Sequence, residues 1–179
     1  MLGENRVQEA GAKVEHLEGI EWHLVGHLQK NKAGRAVELF DVIEAVDSLA
    51  LALRLDRLVG EKRGGESRMP IYLQVNVDAD PAKQGFMPEA LDEALLQILA
   101  AENLDVRGLM TVGWLQADME STRPTFIKLR ELSERLRGQH AGLGAGLSMG
   151  MTDDYEVAIE EGSTLVRVGR ALFGERPTT

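Results

Sequence analysis

The sequence predicts an α/β protein, a (β/α)8 TIM-barrel-like fold lacking its first βα unit and most of its second strand. Three observations lead there. Strand-like and helix-like runs alternate strictly along the 179 residues, and no Asn-Gly or similar hairpin signal joins two strand runs. That is the pattern of a parallel sheet with helical crossovers. Small or polar residues recur at the carboxyl ends of the strand runs, where the site of a parallel α/β fold lies. No GxGxxG follows the first strand run, which turns the reading away from an open dinucleotide-binding sheet. Six clear strand runs and a stub at residues 1–4 are present, whereas such barrels carry eight strands and usually at least ~200 residues. The expectation is that residues 1–179 form one barrel domain, incomplete at its N-terminus, with the missing piece before Met1.

In chain order, a helix is expected at 6–17, then a β-rich run at 20–26 (IEWHLVG) and a helix after the polar stretch HLQKNK. FDVIEAV at 40–46 alternates as a strand, and Asp47 or Ser48 caps a leucine-rich helix. GEKRGGESR at 60–68 reads as a surface loop. A buried-type strand, IYLQVNV, follows at 71–77, and Pro88 opens a helix with Leu91, Ala94, Leu95 and Ile98 on one face. LDVRGLMTV at 104–112 is the next strand, and Thr122 and Pro124 open a helix buried through Phe126, Leu129, Leu132 and Leu136. The last two strands are expected at 146–151 and 164–172. Between them lies a helix with Asp153 and Glu156 as a capping box and Gly162 as its stop.

Composition narrows the function. A net charge of −9 argues against a nucleic-acid surface but leaves room for a local cationic pocket. The chain has no cysteine, which removes disulfides, thiolate metal sites and cysteine nucleophiles. No apolar run approaches the ~20 residues of a membrane span, and the first residues lack a signal-peptide layout, so a cytoplasmic location is the default. His23 and His27 bracket the end of a strand run, but no HExxH or acidic partner makes them a metal motif.

The chemistry concentrates in LSMGMTDDYEVAIEEGSTLVRVGRALFG, residues 147–174. Both strand runs here end in small or polar residues, and glycine allows backbone N–H groups close to a phosphate. Arg167 is the informative residue. A cation among Leu165, Val166 and Val168 is costly to bury unless it meets an anion or an acceptor. An arginine aimed into a barrel mouth beside a glycine-rich cradle suits an aromatic phosphate cofactor. The alternative is two barrel strands whose glycines are incidental. Lys83, beside Gln74 and Asn76, is the lysine nearest a site, or a solvated loop cation. Asp153, Asp154 and Glu156 read as helix surface and dipole partners, and Arg107 as facing a helix.

Several blocks carry a resemblance: GENRVQEA (3–10), EWHLVGHLQKNK (21–32), VDSL (46–49), LQVNV with KQGF (73–77, 83–86), RGLMTVG (107–113), LSMGM (147–151) and EEGSTLVRVGRALFG (160–174). In this order they closely resemble the pyridoxal phosphate homeostasis proteins of the YggS/PROSC type. The resemblance implies a barrel similar to the N-terminal domain of alanine racemase. It further implies binding of pyridoxal 5′-phosphate (PLP) without an established reaction, and a role in intracellular PLP and amino-acid balance. Ser148, Gly169 and Arg170 are then expected at the phosphate, the last two through backbone N–H groups. Arg167 is expected at the pyridine nitrogen, with Asn5 and His23 in the mouth near the ring.

One departure stands beside the match. The family carries its Schiff-base lysine in a segment resembling AVSK ahead of GENR, and none of the lysines at 13, 30, 32, 62, 83 and 128 occupies that motif. No covalent lysine is therefore carried over. A barrel short of its first unit is expected to expose strand edges, lose stability and self-associate, where the full-length family is monomeric. Two alternatives remain open. One is a PLP-dependent racemase, weakened by Val112 and Gly113 standing where a ring-stacking histidine is wanted and by the lack of a second domain before Thr179. The other is an inactive fragment with a phosphate pocket.

Overall fold

The computed structural model describes residues 1–64, 67–113 and 119–174. Seven parallel strands form one sheet in strictly sequential order: β1 (Leu2–Glu4), β2 (Trp22–Leu24), β3 (Val42–Val46), β4 (Met69–Gln74), β5 (Leu104–Met110), β6 (Gly146–Met151) and β7 (Leu165–Arg167). Each connection carries a helix: α1 (Val7–Val14), α2 (Ala33–Leu39), α3 (Leu49–Arg63), α4 (Pro88–Leu99), α5 (Arg123–Gln139) and α6 (Tyr155–Glu160), while a short turn of helix, α7 (Arg170–Phe173), follows β7. The sheet curls into a nearly closed barrel with β1 and β7 as its two edges.

Local chemistry accounts for the helix ends. The Ser48 hydroxyl accepts from Leu51 N at 3.4 Å and caps α3. Gly64, at φ 67°, closes the same helix in the left-handed conformation that glycine adopts without strain. Pro88 opens α4, whose Leu91, Ala94, Leu95 and Ile98 are buried at the expected three-four spacing. Phe126, Leu129, Leu132 and Leu136 do the same for α5.

The apolar core lies between sheet and helices. Trp22, Leu24, Ile43, Met69, Ile71, Leu73, Leu104, Val106, Leu109, Leu147 and Met149 face it from the strands. The alternate positions face the barrel interior, and there His23, Glu44, Tyr72, Ser148 and Arg167 replace the branched aliphatic layers usual in such barrels. A polar layer thus crosses the centre of the molecule.

The stub at 1–4 is the remnant strand β1, registered Leu2 to Trp22, Gly3 to His23 and Glu4 to Leu24. Several expectations need correcting. The run at 164–172 is strand only over Leu165–Arg167, because the backbone turns into α7 after Gly169. The loop expected at 60–68 gives its first residues to α3, which runs to Arg63, while Gly65 and Glu66 lie outside the described residues. The capping box is absent. Asp154, not Asp153, is the N-cap of α6, and its Oδ1 accepts backward from Met151 N at 2.6 Å. Arg107 does not face a helix: it pairs with Asp105 at 2.6 Å and lines a cavity at the N-terminal end of the barrel.

Candidate functional site

Four interior side chains from four strands form one hydrogen-bonded chain. His23 Nδ1 lies 2.6 Å from Glu44 Oε1. The Ser148 hydroxyl donates to Glu44 Oε2 at 2.5 Å and accepts from Arg167 Nη1 at 2.5 Å. Arg167 Nη2 donates to the Thr111 carbonyl at 2.7 Å, just beyond the end of β5. The direction of the chain is fixed at the arginine, which has donors alone. Ser148 must therefore accept from Arg167 and give its own proton to Glu44 Oε2.

His23 completes the charge pattern. Among the described residues its Nε2 has no hydrogen-bond partner, and Glu21 Oε1 lies 3.4 Å from it. Burial pushes its pKa down, but the hydrogen bond and charge of Glu44, together with Glu21, outweigh that and raise it above its ordinary value. Burial acts the same way on Arg167 and pulls its pKa down, while Glu44 and Asp154 act against the pull. Tyr72, in the same layer, is raised by burial and then by Glu44. The layer runs from imidazole to carboxyl to guanidinium, with the Ser148 hydroxyl between the last two.

Above Arg167 lies the C-terminal mouth. Asp154 is buried and its carboxylate is wedged against Gly113, where an added Cβ would come within 2.5 Å of Oδ2. Lys83 reaches the same rim, donating to the Val112 carbonyl at 3.1 Å with Asp78 at 3.8 Å. Its loop is shaped by Asn76, whose side chain bonds Asp80 and Lys83 backbone atoms, and by Gln74, which donates to the Gln84 carbonyl. Gln74 and Asn76 thus act on the loop.

The structure distributes the remaining sequence-predicted residues as follows. Ser148 is 0% exposed and spends its hydroxyl inside the layer. Gly169 and Arg170 begin α7 at the mouth, where the first amides of a helix lack intrahelical acceptors. Among the described residues, a Cβ on Gly169 would meet nothing within 4 Å. The Arg170 side chain pairs with Asp153 at the surface. Gly150, by contrast, serves packing: a Cβ there would strike Ala158 of α6. Asn5 is exposed on the rim just past β1, its backbone packed on Gly26. His23 lies in the interior layer against Glu44. It joins Glu21, Tyr72, Arg107 and Thr164 around a cavity of about 190 Å³ at the N-terminal end. Glu4 turns to α1 and pairs with Lys13.

Two residues escaped the sequence reading. Asp154 was expected on the surface and is 4% exposed. Glu44 drew no notice and is 1% exposed at the centre of the layer. Its signal was available, for a carboxylate inside VIEAV carries the same cost as Arg167 inside LVRV.

Residues 1–177 match the alanine racemase N-terminal domain. The chain belongs to that family. Among its relatives there, the pyridoxal phosphate homeostasis protein of Aquifex aeolicus is 40% identical over 180 residues, spanning 98% of this chain and 77% of that protein. The Synechocystis protein of the same name is 39% identical, spanning 98% and 80%. Among solved structures, PipY of Synechococcus elongatus without PLP superposes with a TM-score of 0.88 at 44% identity, covering 96% of this chain and 80% of PipY. PipY with PLP bound gives 0.86 at 42% identity over the same shares. Alanine racemase of Clostridium difficile, at 17% identity and a TM-score of 0.75, shares the fold. Membership of the alanine racemase N-terminal family agrees with the parallel barrel and with the order of the matched blocks.

Proposed function

We propose that this chain binds pyridoxal 5′-phosphate at the C-terminal mouth of its barrel and serves PLP homeostasis as a carrier or regulator rather than a catalyst. The observation that carries this reading is Arg167. A guanidinium has five N–H donors, and the bonds to Ser148 and Thr111 engage two of them. The side chain is held rigidly at a strand end, with donors left for an acceptor in the mouth. The names of the relatives and the PLP-bound PipY structure supply the ligand that fits.

The donor set suits the two ends of such a ligand. The amides of Gly169 and Arg170 would take the phosphate, and Arg167 would address the pyridine nitrogen. Bound PLP supplies an electron-withdrawing ring for amino-acid chemistry. An arginine at the ring nitrogen, itself always protonated, donates to that nitrogen and keeps a proton off it, which weakens the ring as an electron sink. Such a pocket favours holding over turnover. Ser148, fully covered, would reach the ligand through Arg167, and Asn5 would contribute from the rim.

Thermal unfolding with and without PLP tests the reading, since a ligand that binds the folded state stabilises it by mass action. A PLP-dependent rise in Tm is expected, and Arg167→Ala should remove most of it. No rise in the wild-type chain, or an equal rise in Arg167→Ala, would sink the pocket. Racemisation of alanine or serine well above background would overturn the carrier role.

A further inference from the structure

We propose that Glu44 is a positioning residue of this pocket, one that holds Arg167 through the Ser148 hydroxyl and ties it to the protonation of His23. The proposal rests on the PLP-binding reading. Its basis is the geometry of a carboxylate that is 1% exposed and bonded at both oxygens, to His23 at 2.6 Å and to Ser148 at 2.5 Å. Arg167 Nη1 stands 4.0 Å from the second oxygen, with the hydroxyl between them. A buried carboxylate is costly unless paired, and here its two pairings face opposite ends of the barrel.

The charged and titratable groups facing this chain are Glu21 ahead of β2, Tyr72 on β4, Arg107 on β5 and Asp154 beside the mouth. Within that frame Glu44 is shared between two cations. A protonated His23 draws on Glu44 from below and repels Arg167 across the 4.0 Å gap beyond it. When His23 loses its proton, Glu44 becomes the stronger acceptor for the Ser148 hydroxyl, which in turn accepts more strongly from Arg167 and draws the guanidinium down, away from the mouth. PLP affinity should therefore be higher with His23 protonated and should fall as pH rises through the titration of His23. By reciprocity, bound PLP should hold the proton on His23 more tightly.

The test is the dissociation constant of PLP across the titration range of His23, by fluorescence, for the wild-type chain, Glu44→Gln, His23→Gln and Ser148→Ala. The NMR titration of the His23 imidazole is followed with and without ligand. Relative to the two Gln variants, which cancel the titration of PLP itself, wild-type affinity should fall roughly tenfold across the window, an ordinary coupling magnitude. Glu44→Gln should bind more weakly at low pH and lose the His23-linked change. Inorganic phosphate, which lacks the ring, should bind Glu44→Gln and wild type alike. Ser148→Ala keeps both charges but cuts the link, so it too should lose the change, and it serves if Glu44→Gln does not fold. Wild-type protein without PLP binding would defeat the functional reading instead. PLP binding with the same pH profile in wild type and in Glu44→Gln or Ser148→Ala would overturn the role of Glu44, as would a His23 titration indifferent to PLP.

Discussion

Inside the barrel, His23 Nδ1 and Glu44 Oε1 meet at 2.6 Å, and both side chains are more than nine-tenths buried. The pair has a consequence for the ligand-free protein. Burial disfavours the imidazolium, Glu44 and Glu21 favour it, and the net shift is upward from 6.5. A raised value in the folded state means that the stabilisation is complete below the unfolded value. It is lost as pH rises through the folded one. His23→Gln should flatten that part of the stability profile, measured by urea midpoints from about pH 6 to 9. Parallel profiles would show that His23 does not titrate against Glu44.

Ser148→Ala removes the hydroxyl that bonds both Arg167 Nη1 and Glu44 Oε2 and leaves those two atoms facing each other at 4.0 Å, beyond hydrogen-bond reach, in a covered layer. A loss of about 1–3 kcal/mol is expected, the usual cost of stranding a buried polar group. Chemical denaturation of the ligand-free protein measures it. A loss under about 0.5 kcal/mol, the range of an ordinary surface change, would mean that the hydroxyl is dispensable to the layer.

Asp78 ties the Lys83 loop to α5. Its Oδ2 accepts from Thr125 at 2.6 Å and its Oδ1 from Lys128 at 2.9 Å, with Lys83 at 3.8 Å. Burial pushes its pKa up, yet the hydrogen bonds from Thr125 and Lys128 and the nearby charges bring it below 3.8. The stabilisation is present above the unfolded value and lost as pH falls through the lower folded one. Asp78→Ala should cost about 1.5–3 kcal/mol near neutral pH, the range for hydrogen bonds to a charged group, and the deficit should shrink in acid. A deficit independent of pH would contradict the ion pairing.

Two glycines at the mouth should behave oppositely. Gly113→Ala drives a Cβ to within 2.5 Å of Asp154 Oδ2, the residue that also anchors Met151 N. Overpacking of this kind costs about 1–3 kcal/mol. Gly169→Ala meets nothing within 4 Å among the described residues, so its ligand-free stability should stay within about 0.5 kcal/mol of wild type. Thermal melts of the two variants side by side decide it, and equal losses would contradict the packing at Gly113.

Borohydride reduction in the presence of PLP, followed by intact mass, should give no stoichiometric pyridoxyl adduct. Lys83, at the rim of the mouth, donates to the Val112 carbonyl and sits beside Asp78. An ammonium so engaged is a poor nucleophile. A full-mass adduct mapped to Lys83 would reverse this.

Much of the architecture was legible because periodicity carries it. The faces of α4 and α5 follow from their apolar spacing, and the strict alternation of runs gave the parallel barrel. Arg167 was legible through cost, as a cation in an apolar strand. What stayed hidden depends on contacts distant in sequence. Asp153 and Asp154 are neighbours in one acidic run, and only the turn after β6 puts the second inside and the first in solvent. His23 was placed at the mouth because its run seemed to end there. The strand is shorter than the run, and its register with β3 sets the ring beside Glu44. Three residues of β1 were too few to display any period.

The sequential strand order has a mechanical reading. Each strand leans on its neighbours in the chain, so the sheet resembles a row of pickets joined rail by rail. The Glu44 to Ser148 bond is of another kind, because it joins residues 104 positions apart across the interior. It acts as a cross-brace between the early and late halves of the row. With β1 and β7 at the two ends of the row, that brace keeps its two halves in step across the interior.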